Sequence, residues 1–255
     1  MVEVVLGIDA AWTDTNPSGV ALAVREHSEW QLIALEPSYS AFLDTQEELG
    51  NPLPRPLIER SKEISGEEPD LVMVDMPLSL DRITGRRAAD NAVSRVYGAR
   101  KASTHTPSTV RPGQISDVMR SGFADIHYNL RTVHSEGRLV ETYPHPALIE
   151  LLGEAERLPY KFERKNRYWP NLTPPERKAR LREIWMRVLD GLSDQIKGVK
   201  TQLSLPETTA QNKEWKAFED KLDAIICVLV GIAILDDRAR PYGDDRAAIW
   251  LPEPR

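Results

Sequence analysis

The stretch Val2-Glu3-Val4-Val5-Leu6-Gly7-Ile8-Asp9 opens the chain with an almost continuous apolar run that ends on a carboxylate. A run of this kind is typical of a strand that is buried on both faces. Two further apolar segments follow at residues 20–24 and 30–35, and only short turn-rich or polar links separate them. Three early strands with short links predict an antiparallel meander at the start of the fold.

The rest of the chain alternates short apolar strands with helical segments. Strands are predicted at residues 71–75 and 139–142, each closed by a proline, and a terminal edge strand at 248–251. Helices are predicted over residues 57–64, 86–97, 114–134, 146–152, 174–189 and 212–235. This order predicts one α/β domain over residues 1–255 with a mixed sheet, and with helical insertions near 86–135 and 160–190.

Composition limits the class of protein. The 255 residues are 41% hydrophobic and 28% charged, as in an ordinary globular protein, and the single Cys227 excludes a disulfide framework. The N-terminus resembles a first strand and not a signal peptide, and no apolar run is long enough to span a bilayer. A cytoplasmic protein without a membrane partner is therefore expected. The net charge of −6 argues against broad, nonspecific coating of nucleic acid, but it leaves room for a local basic groove.

Four carboxylates border separate apolar elements. Asp9 and Asp75 each close a predicted strand. Glu141 lies near the end of another strand, and Asp223 is the only charge in the apolar part of the last helix. Any one of them alone has the simpler interpretation of a cap, a turn or a salt bridge. Because sites form where the strands of an open α/β sheet end, and a charge there is costly unless paired or metal-bound, the four together predict a shared site.

Carboxylates without any Cys/His spacing favour Mg²⁺ or Mn²⁺ over zinc. Two such ions about 3.5–4 Å apart can clamp a phosphodiester and stabilise its attacking and leaving oxygens. We expect Asp9 to bridge the ions, with Asp75, Glu141 and Asp223 completing their shells. Asp220 lies three residues before Asp223 on the same helix, and we expect it to point away as a solvated charge.

Six short motifs accompany these acids along the chain, in the order Gly7-Ile8-Asp9, Asp75-Met76-Pro77, Gly85-Arg86-Arg87-Ala88-Ala89-Asp90, Glu141-Thr142-Tyr143-Pro144, Tyr160-Lys161 and Leu222-Asp223-Ala224. In this order they resemble the family called domain of unknown function 429, over nearly the whole chain. The resemblance implies a nuclease with a ribonuclease H-like fold. That superfamily builds its site from an Asp on the first strand, an acid on the fourth strand and an acid on a late helix. Asp9, Asp75 and Asp223 match these positions, and Glu141 matches one of the family's own motifs.

Two locally basic stretches are candidates for binding the substrate. Arg86 and Arg87 come within one helical turn of Asp90, so they form either a surface salt bridge or a phosphate clamp beside the acids. Lys161 and Arg164 lie in a stretch that interleaves bases with aromatic residues. Such a stretch suits contact with a nucleic-acid backbone and its unpaired bases, or it is a solvated loop whose aromatics pack on the core. The predicted partner is nucleic acid, either DNA or RNA.

Two other functions fit parts of the pattern. An ATPase or phosphotransferase of the actin-like superfamily shares the Asp-bearing first strand, but it needs glycine-rich turns to cradle phosphates. The link after Asp9 begins Ala10-Ala11-Trp12 and has no such glycine. A non-catalytic nucleic-acid-binding module would keep the fold, although it has no need for all four acids. The sequence therefore favours a nuclease that depends on a divalent metal.

Overall fold

The computed structural model describes residues 2–13, 15–47 and 54–254 and contains an eight-stranded mixed sheet. Its strands are β1 (Glu3–Asp9), β2 (Gly19–Glu26), β3 (Glu29–Glu36), β4 (Leu71–Val74), β5 (Leu139–Thr142), β6 (Ile196–Lys197), β7 (Ala239–Gly243) and β8 (Ala248–Pro252). Their order across the sheet is β6-β3-β2-β1-β4-β5-β8-β7.

The first three strands form the predicted antiparallel meander, since β2 pairs antiparallel with both β1 and β3. The next strands reverse this pattern, because β4 pairs parallel with β1 and β5 pairs parallel with β4. The carboxyl ends of β1, β4 and β5 therefore meet at one edge of the sheet, as the predicted mixed α/β fold requires.

The prediction of a terminal edge strand is wrong, because β8 lies between β5 and β7. The edge strand on this side of the sheet is β7, which forms an antiparallel hairpin with β8. Its sequence, Ala-Arg-Pro-Tyr-Gly, has neither apolar alternation nor β-branched residues, so no local signal predicted it. Proline is acceptable there because an edge strand leaves one side of its backbone unpaired.

Helices cover both faces of the sheet. Within the described ranges they are α1 (Tyr39–Phe42), α2 (Pro54–Ser65), α3 (Ala88–Tyr97), α4 (Gln114–Ala124), α5 (Pro144–Leu152), α6 (Lys165–Tyr168), α7 (Pro174–Ser193), α8 (Val199–Gln202) and α9 (Asn212–Leu235), with a 3₁₀ turn at Phe162–Arg164. The last helix has the predicted bounds. The helix predicted over residues 114–134 ends ten residues early, because His127 adopts a positive φ of 67° and Leu130 then bridges to β5.

The two faces of the sheet carry separate cores. Val5 and Met73 point towards α9, which packs with α5 and α7 on that face. Leu6 and Val72 point the other way, into a core that α1, α2 and α4 cover. Because side chains alternate along a strand, the face of each site residue follows from its position. None of the helices in the described ranges has both the length and the apolar character needed to cross a lipid bilayer.

Two glycines bring α9 directly against the sheet. A Cβ atom at Gly7 would overlap the carbonyl oxygen of Ala224, and one at Gly19 would overlap that of Asp220. Gly19 is also the register partner of Asp9 across β1 and β2. Backbone contact at these two points therefore sets the acidic part of α9 beside the end of β1.

Candidate active site

A cavity of about 610 Å³ lies at the carboxyl ends of β1 and β4. Asp9 and Asp75 come from these strand ends, whereas Glu219 and Asp220 come from α9. The backbone N–H of Asp75 donates to the carbonyl of Ile8 at 2.9 Å, which fixes the two strand ends side by side. The volume of the cavity falls within the usual range of small-molecule pockets.

Asp9 and Asp75 lie on the face of the sheet that α9 covers, two residues beyond Gly7 and Met73 respectively. Both are half-buried, and neither carboxylate accepts a hydrogen bond from a residue in the described ranges. Burial, and then the negative charges of Asp223, Asp220 and Asp75, raise the pKa of Asp9 well above its ordinary value. Burial chiefly raises the pKa of Asp75 to about 7. The charge of Lys161 offsets part of these effects, but neither carboxylate has an ion-pair or hydrogen-bond partner of its own among the described residues.

Asp223 is fully buried beside them and both of its oxygens are engaged. The hydroxyl of Tyr160 donates to Oδ1 at 2.7 Å, and the Nζ atom of Lys161 forms an ion pair with Oδ2. The same Nζ atom is 3.7 Å from Oε1 of Glu219. Burial lowers the pKa of Lys161, but the neighbouring carboxylates more than offset this and raise it well above its ordinary value. Lys161 is thus a fixed positive charge in the site.

Two more acids on α9 join the site without having been predicted. The expectation that Asp220 is a solvated charge is wrong: it is 2% exposed, ion-paired with Lys216, and its Oδ2 atom is buried with no partner among the described residues. Its backbone lies against Gly19, and this contact turns the residue inward. Glu219 is buried and accepts from the backbone N–H of Phe162. Its spacing of four residues from Asp223 places both on one helix face, and this signal could have identified it.

Glu141 does not join this group. It follows Val140 on β5 and points to the opposite face of the sheet from α9. Its oxygens accept from the two terminal nitrogens of Arg87 at 2.6 and 2.7 Å, and Oε2 also accepts from the backbone of Leu78 at 2.7 Å. Arg87 pairs in addition with Asp90 at 2.9 Å, and its side chain is only 8% exposed. The result is a buried Asp90–Arg87–Glu141 ion triad next to the site.

Arg86 holds the long loop between α3 and α4. Its guanidinium donates to Oδ1 of Asn91 at 2.7 Å and to the backbone carbonyl of Asp90 at 2.9 Å. It also reaches the hydroxyl of Thr106 at 3.2 Å. The two predicted arginines thus have different surroundings, and neither lines the cavity.

The basic side of the cavity is formed by residues from two loops. Lys161 and Arg164, both predicted as substrate contacts, lie on one of them. Arg157 lies on the same loop, and Arg111 and His105 lie on the other. Arg111 and Arg157 were not among the predicted substrate contacts.

His145 lines the cavity between these groups. It is buried near the start of α5, and its ring packs edge-on against Tyr143 and Tyr160. Its Nδ1 atom has no hydrogen-bond partner among the described residues. Burial, followed by the charges of Arg157 and Lys161, lowers the pKa of His145 well below its ordinary value. The imidazole is therefore neutral at pH 7, and its surroundings disfavour protonation.

The donor set suits a hard divalent cation. In the part of the chain that the structure describes, no three His, Cys, Asp or Glu side chains form a ready-made metal shell. However, Mg²⁺ typically uses one or two carboxylates and takes its other ligands from water and phosphate. Asp9 and Asp75 supply two unpartnered carboxylates, and the buried, unpartnered Oδ2 of Asp220 marks a further unmet need for a positive charge.

Comparison with known proteins agrees with the motif order. No curated protein and no solved structure is similar enough to count as a match. The family model described as "Protein of unknown function (DUF429)" matches residues 7–247. This match spans nearly the whole chain, from the first strand to the β7–β8 hairpin, and the protein therefore belongs to the DUF429 family.

Proposed function

We propose that the protein is a nuclease that hydrolyses phosphodiester bonds with the help of Mg²⁺ or Mn²⁺. The observation that carries this proposal is the pair Asp9 and Asp75, two unpartnered carboxylates on neighbouring strand ends that face a cavity with a basic side. Phosphodiester hydrolysis needs both parts, because a cation must meet carboxylate oxygens and phosphate oxygens at once.

The topology supports assigning the site to a ribonuclease H-like fold. An antiparallel β1–β2–β3 meander is followed by parallel β4 and β5, and α9 crosses the first strand. Asp9, Asp75 and Asp223 come from the first strand, the fourth strand and a late helix, as that superfamily's site requires. These three acids lie within electrostatic reach of one another, and this proximity supports the proposal.

Asp9 and Asp75 would hold the cation. Bound there, it would neutralise charge on the phosphate and acidify a coordinated water. Asp223 is the less suitable ligand, because Tyr160 and Lys161 occupy its oxygens. Lys161 supplies a positive charge where a second ion would otherwise be needed, so we propose one resident ion together with this lysine.

Cleavage of labelled single- and double-stranded DNA and RNA tests the proposal, in Mg²⁺, Mn²⁺ and EDTA, for the wild type, Asp9→Asn and Asp75→Asn. We expect cleavage of at least one substrate by the wild type that requires the metal. Each substitution should lower the cleavage rate by more than roughly 10- to 100-fold, which is the loss typical of a residue that only hydrogen-bonds to a metal ligand. Undiminished metal-dependent cleavage by Asp9→Asn would overturn the assignment.

Asp245→Asn is the matched control, because Asp245 is an exposed aspartate in the β7–β8 link and does not line the cavity. ATP hydrolysis measured in the same buffers separates the alternatives. Turnover of ATP without cleavage of any nucleic acid would favour a phosphotransferase of the actin-like superfamily. Binding of a strand that needs no metal and leads to no cleavage would favour a non-catalytic module.

A further inference from the structure

Three arginines on the cavity wall form no ion pair and no side-chain hydrogen bond with another residue in the described ranges. Arg111, Arg157 and Arg164 all line the cavity that holds Asp9 and Asp75. None of them forms an ion pair with a residue in the described ranges, although most other buried or half-buried basic groups near the site do. The Nε atom of Arg157 is buried and has no hydrogen-bond partner there. Unpaired guanidinium groups on a concave surface indicate an anionic ligand.

The three positive charges act on the same region. Burial lowers the pKa of His105, and the next contributions come from Arg164, Arg157 and Arg111. His105 therefore lies within the electrostatic reach of all three guanidinium groups. The exposed Glu163 also lines the cavity and contributes one negative charge. The local balance on this wall is thus positive, whereas the wall formed by α9 is acidic.

Two fixed segments hold these arginines in place. The guanidinium of Arg111 lies 5.8 Å from the ring centre of Trp12, which itself lines the cavity. The backbone N–H of Arg157 donates to the carbonyl of Arg100 at 2.8 Å, and that of Arg164 to Lys161 at 3.0 Å. Both segments are therefore positioned before any ligand arrives, which lowers the entropic cost of binding.

We propose that Arg111, Arg157 and Arg164 form a subsite for a phosphate monoester, so that the substrate enters the cavity by a phosphorylated end. A phosphate monoester carries a charge of about −1.5 to −2 and three strong acceptor oxygens, whereas an internal diester carries a single charge. Three guanidinium groups match the monoester better. The cleaved bond then lies close to a chain end, which makes the enzyme an end-directed nuclease. This inference rests on the proposed function for its substrate class.

Binding measured without catalysis tests the subsite independently of the nuclease assignment. The probes are fluorescent eight-nucleotide single strands with a 5′-phosphate, a 3′-phosphate or hydroxyl ends, in buffer with Ca²⁺ and in buffer with EDTA. We expect one phosphorylated strand to bind about tenfold more tightly than the hydroxyl-ended strand, since a charge-assisted hydrogen bond contributes this much or more. The double variant Arg157→Gln/Arg164→Gln should bind the phosphorylated and the hydroxyl-ended strands with nearly equal affinity.

Arg180→Gln serves as the control, because Arg180 is an exposed arginine of α7 that forms an ion pair with Glu183 and lies outside the cavity. Equal binding of all three strands by the wild type, or a preference that survives in the double variant, would overturn the subsite. Competition by inorganic phosphate and by a mononucleotide identifies the source of the monoester. If a mononucleotide binds through the arginines and no strand does, the subsite stands and the proposed nuclease function falls.

Discussion

Lys161 lines the cavity and forms an ion pair with Asp223 of α9, which is buried and does not line it. The lysine side chain is 22% exposed, whereas that of the aspartate is fully buried. A buried carboxylate that loses its partner costs more free energy than the pair contributed. The charge of Lys161 therefore stabilises the fold as well as the proposed chemistry.

We expect Lys161→Met to lower the free energy of unfolding by on the order of 2 kcal/mol in EDTA. Mn²⁺ should stabilise this variant more than it stabilises the wild type, because the ion can then neutralise Asp223. Thermal unfolding with and without Mn²⁺ measures both effects. Lys200→Met is the control, since Lys200 and Asp190 form an exposed pair that should contribute less than about 1 kcal/mol. An equal response of Lys161→Met and the wild type to Mn²⁺ would contradict this role.

The buried Arg87 is expected to stabilise the fold without taking part in binding at the cavity. Its guanidinium is enclosed by Asp90 and Glu141 and does not line the cavity. We expect Arg87→Met to destabilise the protein by about 3–5 kcal/mol, because it leaves two buried carboxylates unpaired. Denaturant unfolding measures this loss, and Mn²⁺ titration of the folded fraction should give an unchanged affinity.

Arg246→Met is a suitable comparison, because Arg246 and Asp81 form an exposed pair near the same loop. Arg87→Met would disprove the structural role if it unfolded at the same denaturant concentration as the wild type. A specific loss of binding to phosphorylated strands, with stability unchanged, would return Arg87 to the substrate-binding role that the sequence suggested.

The sequence predicted much of this fold because the decisive signals are local. The apolar run at β1, the capping box at Thr173 and Glu176 and the long apolar part of α9 each define an element without help from the rest of the chain. Strand ends and helix faces follow from these elements by simple periodicity. That is why the sequence groups Asp9, Asp75 and Asp223, which lie within electrostatic reach of one another in the structure.

The remaining features depend on long-range packing, which leaves no local pattern. Asp220 is buried because its backbone lies against Gly19 of β2, about 200 residues away in the chain. Glu141 turned out to face the other side of the sheet, although its position near a strand end resembled that of Asp75. Arg111 and Arg157 reach the cavity from loops, and loop geometry does not follow from hydrophobic periodicity.

The contact between Gly7 and α9 yields a prediction about the site itself. A Cβ atom at residue 7 would lie 2.8 Å from Cγ2 of Val228 and would overlap the carbonyl of Ala224. Because the obstacle includes backbone, α9 must move away from β1, and Asp223 must move away from Asp9. We expect Gly7→Ala to cost about 1–3 kcal/mol of stability and to weaken Mn²⁺ binding.

Gly85→Ala is the matched control, because a Cβ atom built at Gly85 meets no described residue within 4 Å apart from its chain neighbours. It should leave Mn²⁺ affinity unchanged and keep or slightly increase the melting temperature. Differential scanning calorimetry and metal titration compare the two variants. Similar behaviour of Gly7→Ala and Gly85→Ala would show that the close approach of α9 does not control the site.

Asp75 gives the protein a defined response to pH when metal is absent. Its pKa is about 7 in the folded protein, mainly because of burial, and near 3.9 in an unfolded chain. Between these values the folded state binds more protons than the unfolded state, so this residue's contribution to stability falls as the pH rises. The whole penalty is present above pH 7 and absent below about pH 4.

We therefore expect Asp75→Asn to be more stable than the wild type at pH 8 in EDTA, by on the order of 2 kcal/mol. The difference should shrink as the pH falls towards 4, and Asp245→Asn should show no such trend. Saturating Mn²⁺ at pH 8 should reverse the order, because only the wild type gains from a cation that stabilises the ionised carboxylate. Urea unfolding across this pH range measures the difference. A stability difference that is constant with pH would mean that Asp75 is already compensated and is not waiting for a cation.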